Sequence, residues 1–435
     1  MSTLSILIVL PLLIIFSYLF ELIAKKTKFP AVILLMLTGA LVRAGTTYYG
    51  IKDFAFLDNL IPVLGTIGLI LIVLEGALEL DITLEKLPLI LKGFIASAVI
   101  LILNIVVLTS LFEFFGMAYE AAVIYAIPLS IISSAIAIPS SKGLVAYEKE
   151  FVVYESTFSD ILGIMIFNYA IRQFETNQTL ISGESLLNLG LQILGVILIS
   201  LLITYCLFQL LQKIEHHVKF FLILALLILV YALGKIFHLP ALVTIFIFGL
   251  FLSNVKLLLP EFMKKQLDLD HTEKGLNEFH VLTAESTFIV KTFFFLFFGF
   301  SIDLTEFTSI EPFIYGLLIY GLMWGIRYIY FTLTSFRLKP SALVFISPRG
   351  LISILLFLQI VDISFLNDTS TVVDERVLLV IILSSMVIMT LGTMTQTQGK
   401  EEEEEEETDI ETTLFEEQTE ENDPDEDKNS SEEIV

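Results

Sequence analysis

The chain has 435 residues, 56% of them hydrophobic, with a mean hydropathy of +0.84 and a formal net charge of −23. Such hydrophobicity excludes an ordinary soluble globular protein and predicts an integral membrane protein embedded in the lipid bilayer. The charge is unevenly distributed, because 19 acidic residues and one Lys lie within residues 401–435.

Thirteen apolar segments are long enough to cross a bilayer, since a transmembrane helix needs about 20 residues. They are residues 4–24, 30–48, 58–78, 88–114, 118–143, 151–174, 186–212, 219–237, 239–256, 284–303, 312–334, 340–363 and 375–396. The predicted fold class is therefore an all-α integral membrane protein with about 13 transmembrane helices. The glutamate-rich segment 397–435 cannot bury a core. We expect it to be a disordered cytoplasmic tail, with a regulatory tail as the alternative.

The distribution of basic residues predicts the orientation of the chain in the membrane. Lys and Arg outside the spans fall mainly in alternate loops, for example Lys25, Lys26, Lys86 and Lys149. The positive-inside rule places these loops in the cytoplasm, with the N-terminus outside and the C-terminus inside. No basic segment precedes the first span, so we expect no cleaved signal peptide. The expected location is the inner, or plasma, membrane of a bacterium.

Two pairs of segments repeat along the chain. Residues 30–39 and residues 240–249 each open with Pro-Ala and end in Gly after an apolar run. Residues 76–83 then resemble residues 299–305 in order, with one residue's difference in spacing. Because the two Pro-Ala helices are offset by seven spans, they run in opposite directions. Inverted repeats of this kind are typical of secondary transporters that alternate access around a site near the bilayer midplane.

These repeats divide the predicted membrane domain, residues 1–396. We expect two inverted-topology six-helix repeats, at about 1–174 and about 219–396, joined by a linker helix at about 186–212. The predicted repeats carry crossed discontinuous helices.

The sixth span contains the most informative polar group. Ser156 and Asp160 are four residues apart and share a helix face, with Ser159 beside them. Their oxygens suit a small cation such as Na⁺ or K⁺. Burial favours the neutral form of a carboxyl group, so Asp160 can hold either a proton or a cation. Glu75 in the third span is a second deep carboxylate, which either binds the cation or serves helix packing.

Two spans contain the sequence features of interrupted helices. Proline followed by glycine at membrane depth predicts a break at residues 347–350 of the twelfth span and at residues 138–143 of the fifth. The residues expected at these breaks are Pro348, Gly350, Pro139 and Ser140. Interrupted helices in corresponding positions of two repeats indicate the binding site.

Three basic residues lie within the spans and well away from their ends. Arg349 needs a partner at membrane depth, and we predict a buried ion pair between Glu155 and Arg349. Lys291 either neutralises the carbonyl ends of the crossed helices or takes part in proton coupling. Arg327 lies nearer the inner end of its span, and we expect its side chain to extend to the membrane surface.

Four motifs resemble one known family. Glu-Ser-x-x-Ser-Asp at 155–160 resembles the Glu-Ser-x-x-Asn-Asp signature of NhaP/NHE-type monovalent cation/proton antiporters. Ser-Pro-Arg-Gly at 347–350, Leu-Glu-Gly-Ala-Leu at 74–78 and Lys-Thr-Phe-Phe at 291–294 also resemble stretches of this family. The resemblance covers residues 1 to about 396.

The resemblance implies a homodimer, with a scaffold domain at the interface and a mobile core domain of crossed broken helices. It also implies that Asp160 is the exchange carboxylate, that Ser156 and Glu75 are co-ligands, and that Glu155 and Arg349 form an ion pair in the core.

Two departures from the family pattern concern the ligands. The family's Asn before the exchange Asp is Ser159 here, and its Thr-Asp-Pro in the fifth helix is replaced by residues 137–139. The second change removes a customary ligand, for which backbone carbonyls near Ile138 and the Ser140 hydroxyl are the expected substitutes.

The sequence therefore favours a secondary transporter that exchanges Na⁺ or K⁺ for protons. The alternatives are a symporter for an organic anion on the same fold and a non-transporting membrane sensor whose acidic tail binds basic partners. No Gly-rich phosphate loop, His/Cys metal cluster or nucleophile elbow occurs in the sequence. We expect neither an enzyme nor a cofactor nor a nucleic-acid partner, and the only metal expected is the alkali cation at Asp160.

Overall fold

The computed structural model describes the chain in separate ranges. They are residues 3–27, 30–48, 56–80, 82–83, 85–141, 143–176, 180, 194–195, 197–209, 219–236, 241–258, 269–302, 309–334, 342–360, 363, 366 and 372–394. The predicted tail, residues 397–435, and both ends of the predicted linker helix lie outside these ranges.

Helices make up the regular structure of the described ranges. They are α1 (Thr3–Thr27), α2 (Ala31–Tyr48), α3 (Phe56–Leu78), α4 (Leu87–Phe114), α5 (Tyr119–Ser130), α6 (Ser134–Ser140), α7 (Ala146–Glu175), α8 (Ile197–Gln209), α9 (Lys219–Ile236), α10 (Ala241–Ser253), α11 (Val255–Leu258), α12 (Leu269–Ser301), α13 (Glu311–Thr334), α14 (Leu351–Ile360) and α15 (Glu375–Met394). A single 3₁₀ turn, Ala342–Val344, is also described.

Seven of the helical segments are long and apolar enough to cross a membrane: α2, α3, α4, α5 with α6, α12, α13 and α15. Apolar segments of 10–17 residues lie within α1, α8, α9, α10 and α14, and α7 is longer but carries more charged residues. Large apolar side chains such as Leu103 and Val106 face outward, whereas polar side chains such as Asn104 are buried. This arrangement suits a lipid solvent, and it confirms the predicted all-α membrane fold.

Helices α2, α3, α10 and α12 form one packed group. Helix α2 meets α12 at Gly39, where an added Cβ would lie 2.1 Å from the Leu296 carbonyl oxygen. Helix α10 meets α3 at Gly249, where an added Cβ would lie 2.7 Å from the Cβ of Ala77. The Pro-Ala helix of each predicted repeat therefore packs on the third helix of the other. Small residues permit such close approach between membrane helices.

Helices α4, α5, α6, α7, α13 and α14 form a second group. Gly93 of α4 allows α7 to approach closely, since an added Cβ would lie 2.9 Å from the Cβ of Tyr154. Phe151 of α7 and Phe331 of α13 join edge to face, with ring centroids 5.9 Å apart. Helix α3 links the two groups, because it contacts α14, α7 and α6.

Two interrupted helices cross inside the second group. Residues 131–133 separate α5 from α6, and residues 346–350 are non-helical before α14 begins. The N–H of Ser133 donates to the carbonyl of Pro348 at 2.9 Å. An added Cβ on Gly350 would lie 2.7 Å from Ser133 Oγ, so a larger residue would displace the crossing chain. The crossed discontinuous helices of the predicted fold class are present.

The break in the fifth span lies earlier than residues 138–143, and the expectation that Pro139 and Ser140 form it is wrong. Pro139 lies inside α6, and the Ser140 hydroxyl donates to the Ile136 carbonyl of the same helix at 2.7 Å. The break forms where neighbouring chain segments accept the freed backbone N–H groups. A proline in the last turn of a short helix removes only one such bond.

Candidate functional site

Asp160 lies on α7 at the point where α5 gives way to α6. Its side chain is buried, and the residue is 1% exposed. Carboxylate oxygen Oδ2 accepts the backbone N–H of Ser134 at 3.3 Å and also accepts the Ser134 hydroxyl. Oxygen Oδ1 is buried without a hydrogen-bond partner among the described residues. Since an unsatisfied buried acceptor is costly, Oδ1 is the atom available to a proton or a cation.

Ser134 contacts Asp160 directly, but the sequence did not identify it as a site residue. It is the first residue of α6, and both its N–H and its hydroxyl donate hydrogen bonds to Asp160. The Pro139 and Gly143 pair directed the sequence prediction to a later break. The adjacent serines 133 and 134 were the available signal, because Ser is favoured where helices begin.

The two predicted serine ligands differ in what they contact. Ser159 Oγ accepts the N–H of Ile132 at 3.0 Å, so it supports the break between α5 and α6. Ser156 donates its hydroxyl to the Val152 carbonyl of its own helix at 2.7 Å. Both side chains are buried beside Asp160 along α7. Each hydroxyl oxygen keeps a lone pair, but the Ser159 oxygen already accepts a hydrogen bond that supports the break between α5 and α6.

An acidic cavity of about 300 Å³ lies between α1, α3, α6 and α12. Its walls carry four carboxylates and one ammonium group, those of Glu21, Glu75, Glu79, Glu285 and Lys291. Ser134, the hydrogen-bond partner of Asp160, is also part of the wall. The cavity therefore places a negative potential close to Asp160, with the Ser134 side chain between them.

Glu75 and Lys291 meet in this cavity. The Lys291 Nζ lies 3.5 Å from Glu75 Oε2, and the side chains are 20% and 22% exposed. This position leaves Glu75 able to contact an entering cation, while Lys291 offsets one of the carboxylate charges. The described contacts of Lys291 lie in the cavity and not at the helix crossover.

The predicted ion pair between Glu155 and Arg349 is wrong, because Glu155 pairs with Arg327. The Nη1 and Nη2 groups of Arg327 donate to Glu155 Oε1 and Oε2 at 2.6 and 2.8 Å. Its Nε donates to the Leu343 carbonyl at 2.8 Å, and its guanidinium carbon lies 4.8 Å from the centre of the Phe331 ring. Arg327 is 1% exposed, so the expectation that it reaches the membrane surface is also wrong.

Both errors have the same physical cause. Position along a span indicates depth, but it does not indicate which neighbouring helix a side chain faces. Arg327 faces α7, where the two carboxylate oxygens of Glu155 accept hydrogen bonds from two N–H groups of its guanidinium. The pair joins α7 to α13, and the Nε bond joins both to the chain entering the crossover.

Arg349 is buried at the crossover itself, with 1% exposure. Its backbone N–H donates to Ser385 Oγ at 2.9 Å, and its Nη1 donates to the Ser347 carbonyl at 3.3 Å. Its Nη2 lies 3.5 Å from the sulfur of Met323, and its Nε has no partner among the described residues. Arg349 therefore lies where carbonyl groups of the interrupted helix need a positive charge.

These features define what the site can do chemically. A carboxylate with one free oxygen is buried at a helix crossover, and an acidic cavity reaches its hydrogen-bond partner. Monovalent cations and protons can both neutralise such a carboxylate. The other buried acid of the described residues, Glu155, is already neutralised by Arg327, so Asp160 is the buried acid whose charge a bound ion can still neutralise.

Solved structures of similar fold are known. Two solved structures of the sodium proton antiporter MjNhaP1 from Methanocaldococcus jannaschii share the fold. The structure at pH 8 is 19% identical, the match covers 91% of this chain and 96% of that one, and the TM-score is 0.65. The electron-microscopy structure is 18% identical, with 92% and 96% covered and a TM-score of 0.66. The comparison with curated protein sequences finds no match.

The sequence also matches a family model over nearly its whole length. The model is described as "Sodium/hydrogen exchanger, transmembrane" and matches residues 12–397. This range includes both interrupted helices, the acidic cavity and Asp160. The chain belongs to the sodium/hydrogen exchanger family.

Proposed function

We propose that the protein exchanges Na⁺ or K⁺ for protons by alternating access, with Asp160 binding the two ions in turn. The observation that carries the proposal is the buried Oδ1 of Asp160, which lacks a hydrogen-bond partner among the described residues. A protonated carboxyl is neutral, and so is a carboxylate that holds a monovalent cation. An empty, charged carboxylate is costlier in low dielectric than either state. Binding of one ion therefore accompanies release of the other.

The charge of the cavity favours a cation as the second substrate. Four carboxylates and one ammonium group line its walls, so cations are concentrated near the entrance to Asp160. An organic-anion symporter needs a cationic binding site, and this cavity offers the opposite potential. The symporter alternative is therefore disfavoured.

Alternating access requires the group containing α7 to move against the group containing α3. The cavity lies at the C-terminal end of α3, where Glu79 follows the helix. With the N-terminus outside, this end faces the cytoplasm. Gly65 and Gly68 of α3 face Leu355 and Leu351 of α14, so the contact surface carries few protruding groups on the α3 side. We propose that the conformation described is the cytoplasm-facing one.

The assembly and location follow from the same proposal. We propose a homodimer in which the group containing α2, α3, α10 and α12 belongs to the scaffold, and residence in a bacterial inner membrane with the C-terminus in the cytoplasm. Crosslinking in native membranes and labelling of cysteines introduced at the two termini test these statements.

Cation-driven proton movement in proteoliposomes tests the exchange itself. Liposomes loaded with a pH-sensitive dye receive pulses of Li⁺, Na⁺ or K⁺, and the wild-type protein is expected to release internal acid in response to one or more of them. Asp160→Asn is expected to abolish the response, because an amide fills the same volume but takes up no proton. Glu113→Gln, an exposed change at the end of α4, is the matched control and is expected to behave as wild type. Exchange by Asp160→Asn at wild-type rates would contradict the role of Asp160, and a wild-type protein that moves no protons would favour the sensor alternative.

A further inference from the structure

We propose that the hydroxyl of Thr157 is a ligand of the transported cation and sets the affinity of the Asp160 site. This inference rests on the exchange function proposed above. Thr157 occupies an unspecified position of the Glu-Ser-x-x-Ser-Asp motif, so the motif itself gives it no role. In the structure it is 3% exposed, and its Oγ1 is buried with no hydrogen-bond partner among the described residues.

The absence of an intrahelical bond from Thr157 is informative. A threonine inside a helix commonly donates its hydroxyl to the carbonyl four residues earlier. Thr283, Thr287 and Thr390 each do so, at 2.7, 2.7 and 2.8 Å. Thr157 does not make this bond, and its buried hydroxyl oxygen has no hydrogen-bond partner among the described residues. An unsatisfied buried hydroxyl is costly unless another group occupies the position in some functional state.

The free hydroxyl lies on the same helix face as the exchange carboxylate. Thr157 and Asp160 are three residues apart on α7, which places them one turn from each other. Each carries a buried oxygen without a hydrogen-bond partner among the described residues, Oγ1 and Oδ1 respectively. Two such oxygens one turn apart form part of a coordination shell that no described residue fills.

Two residues in the wall of the acidic cavity adjoin Asp160 and Thr157. Ser134, which bonds Asp160, is one wall residue, and Gly76 is another. An added Cβ on Gly76 would lie 3.5 Å from Thr157 Oγ1, so α3 presents backbone and not a side chain to the hydroxyl. Glu75, adjacent to Gly76, adds a carboxylate from the same wall. A cation entering between α3 and α7 meets Glu75, the Thr157 hydroxyl and Asp160.

The chemistry of these groups matches an alkali cation. Hard cations take oxygen ligands, and a neutral hydroxyl adds a ligand without adding charge. A protonated Asp160 gains nothing comparable from a hydroxyl that has no bond to it. Thr157 therefore strengthens cation binding without strengthening proton binding, and it biases the competition at Asp160 toward the cation.

Cation affinity in three variants tests the inference. Thr157→Val keeps the shape and removes the oxygen, whereas Thr157→Ser keeps the oxygen. Thr109→Val is the matched control, because Thr109 on α4 is also buried with an unpartnered hydroxyl among the described residues. The readouts are the apparent KM for Na⁺ and K⁺ in dye-loaded proteoliposomes, and the cation concentration that gives half-maximal thermal stabilisation of the detergent-purified protein. Neither readout depends on the amount of folded protein.

We expect Thr157→Val to raise the apparent KM and the half-stabilising concentration about tenfold, the order expected for losing one interaction with a charged group. Thr157→Ser and Thr109→Val should stay within about threefold of wild type, and maximal rates should be similar. A Thr157→Val KM within twofold of wild type, or an equal rise in Thr109→Val, overturns the inference while leaving exchange intact. A wild-type protein that neither moves protons in response to alkali cations nor is stabilised by them overturns the exchange proposal and this inference with it.

Discussion

Replacing Glu155 with Gln removes the charge that neutralises the buried guanidinium of Arg327. In the native protein the two carboxylate oxygens accept N–H groups at 2.6 and 2.8 Å. The side chains of Arg327 and Glu155 are 1% and 2% exposed, so no water screens the charge that remains. Removing one partner of a buried pair costs about 3–5 kcal/mol. We expect Glu155→Gln to lower the free energy of unfolding by that amount.

The Glu75–Lys291 pair provides an internal control. It is longer, at 3.5 Å, and its side chains are about ten to twenty times more exposed, at 22% for Glu75 and 20% for Lys291. A partly solvated pair of this kind contributes about 1 kcal/mol or less. Glu75→Gln makes the same chemical change as Glu155→Gln, so the difference between the two variants measures the effect of burial.

A double-mutant cycle on the detergent-purified protein measures the coupling. The cycle compares Glu155→Gln, Arg327→Met and the double variant during thermal or denaturant unfolding. Trp324, the only tryptophan in the chain, lies three residues from Arg327 on α13 and reports unfolding at this position by fluorescence. The double variant is expected to be more stable than the sum of the single losses predicts, because it leaves no uncompensated charge. If Glu155→Gln is as stable as Glu75→Gln, or if the single losses add, then the buried pair does not stabilise the fold as argued.

The remaining predictions concern packing, stoichiometry and the tail. Gly299→Ala should lower folded yield sharply, because the added Cβ would lie 2.1 Å from the Met36 carbonyl oxygen, and wild-type yield on size-exclusion chromatography would contradict the contact. Exchange should be electroneutral, because one monovalent cation replaces one proton at Asp160. A valinomycin-imposed potential should then leave Na⁺-driven proton flux unchanged, whereas a dependence that disappears in Lys291→Arg would assign a second proton to Lys291. Deleting residues 401–435 should leave transport rate and thermal stability unchanged, because the segment has few apolar residues with which to dock, and a large change in flux at equal protein would show a regulatory tail.

Several features of this protein follow from the order of its residues alone. Apolar runs of the length of a bilayer predict the membrane helices, because lipid imposes the same requirement on every span. The matched spacing of Pro-Ala and Gly predicts corresponding helices, and the structure shows the reciprocal packing at Gly39 and Gly249. Asp160 is recognisable because an acid in the middle of a span is costly unless it serves a function.

The tertiary structure decided the partners of these residues. Arg327 and Arg349 both lie at membrane depth, and only the rotation of α13 about its axis shows that Arg327 faces Glu155. The break before α6 involves three consecutive N–H groups, those of residues 132–134. Their acceptors are Ser159, Pro348 and Asp160, which are distant from the break in sequence. Depth and periodicity are properties of one helix and can be read along the chain. Hydrogen-bond partners are properties of neighbouring helices, so the contact of Ser134 with Asp160, and the lack of a partner for the Thr157 hydroxyl among the described residues, depend on how α3, α6 and α7 pack together.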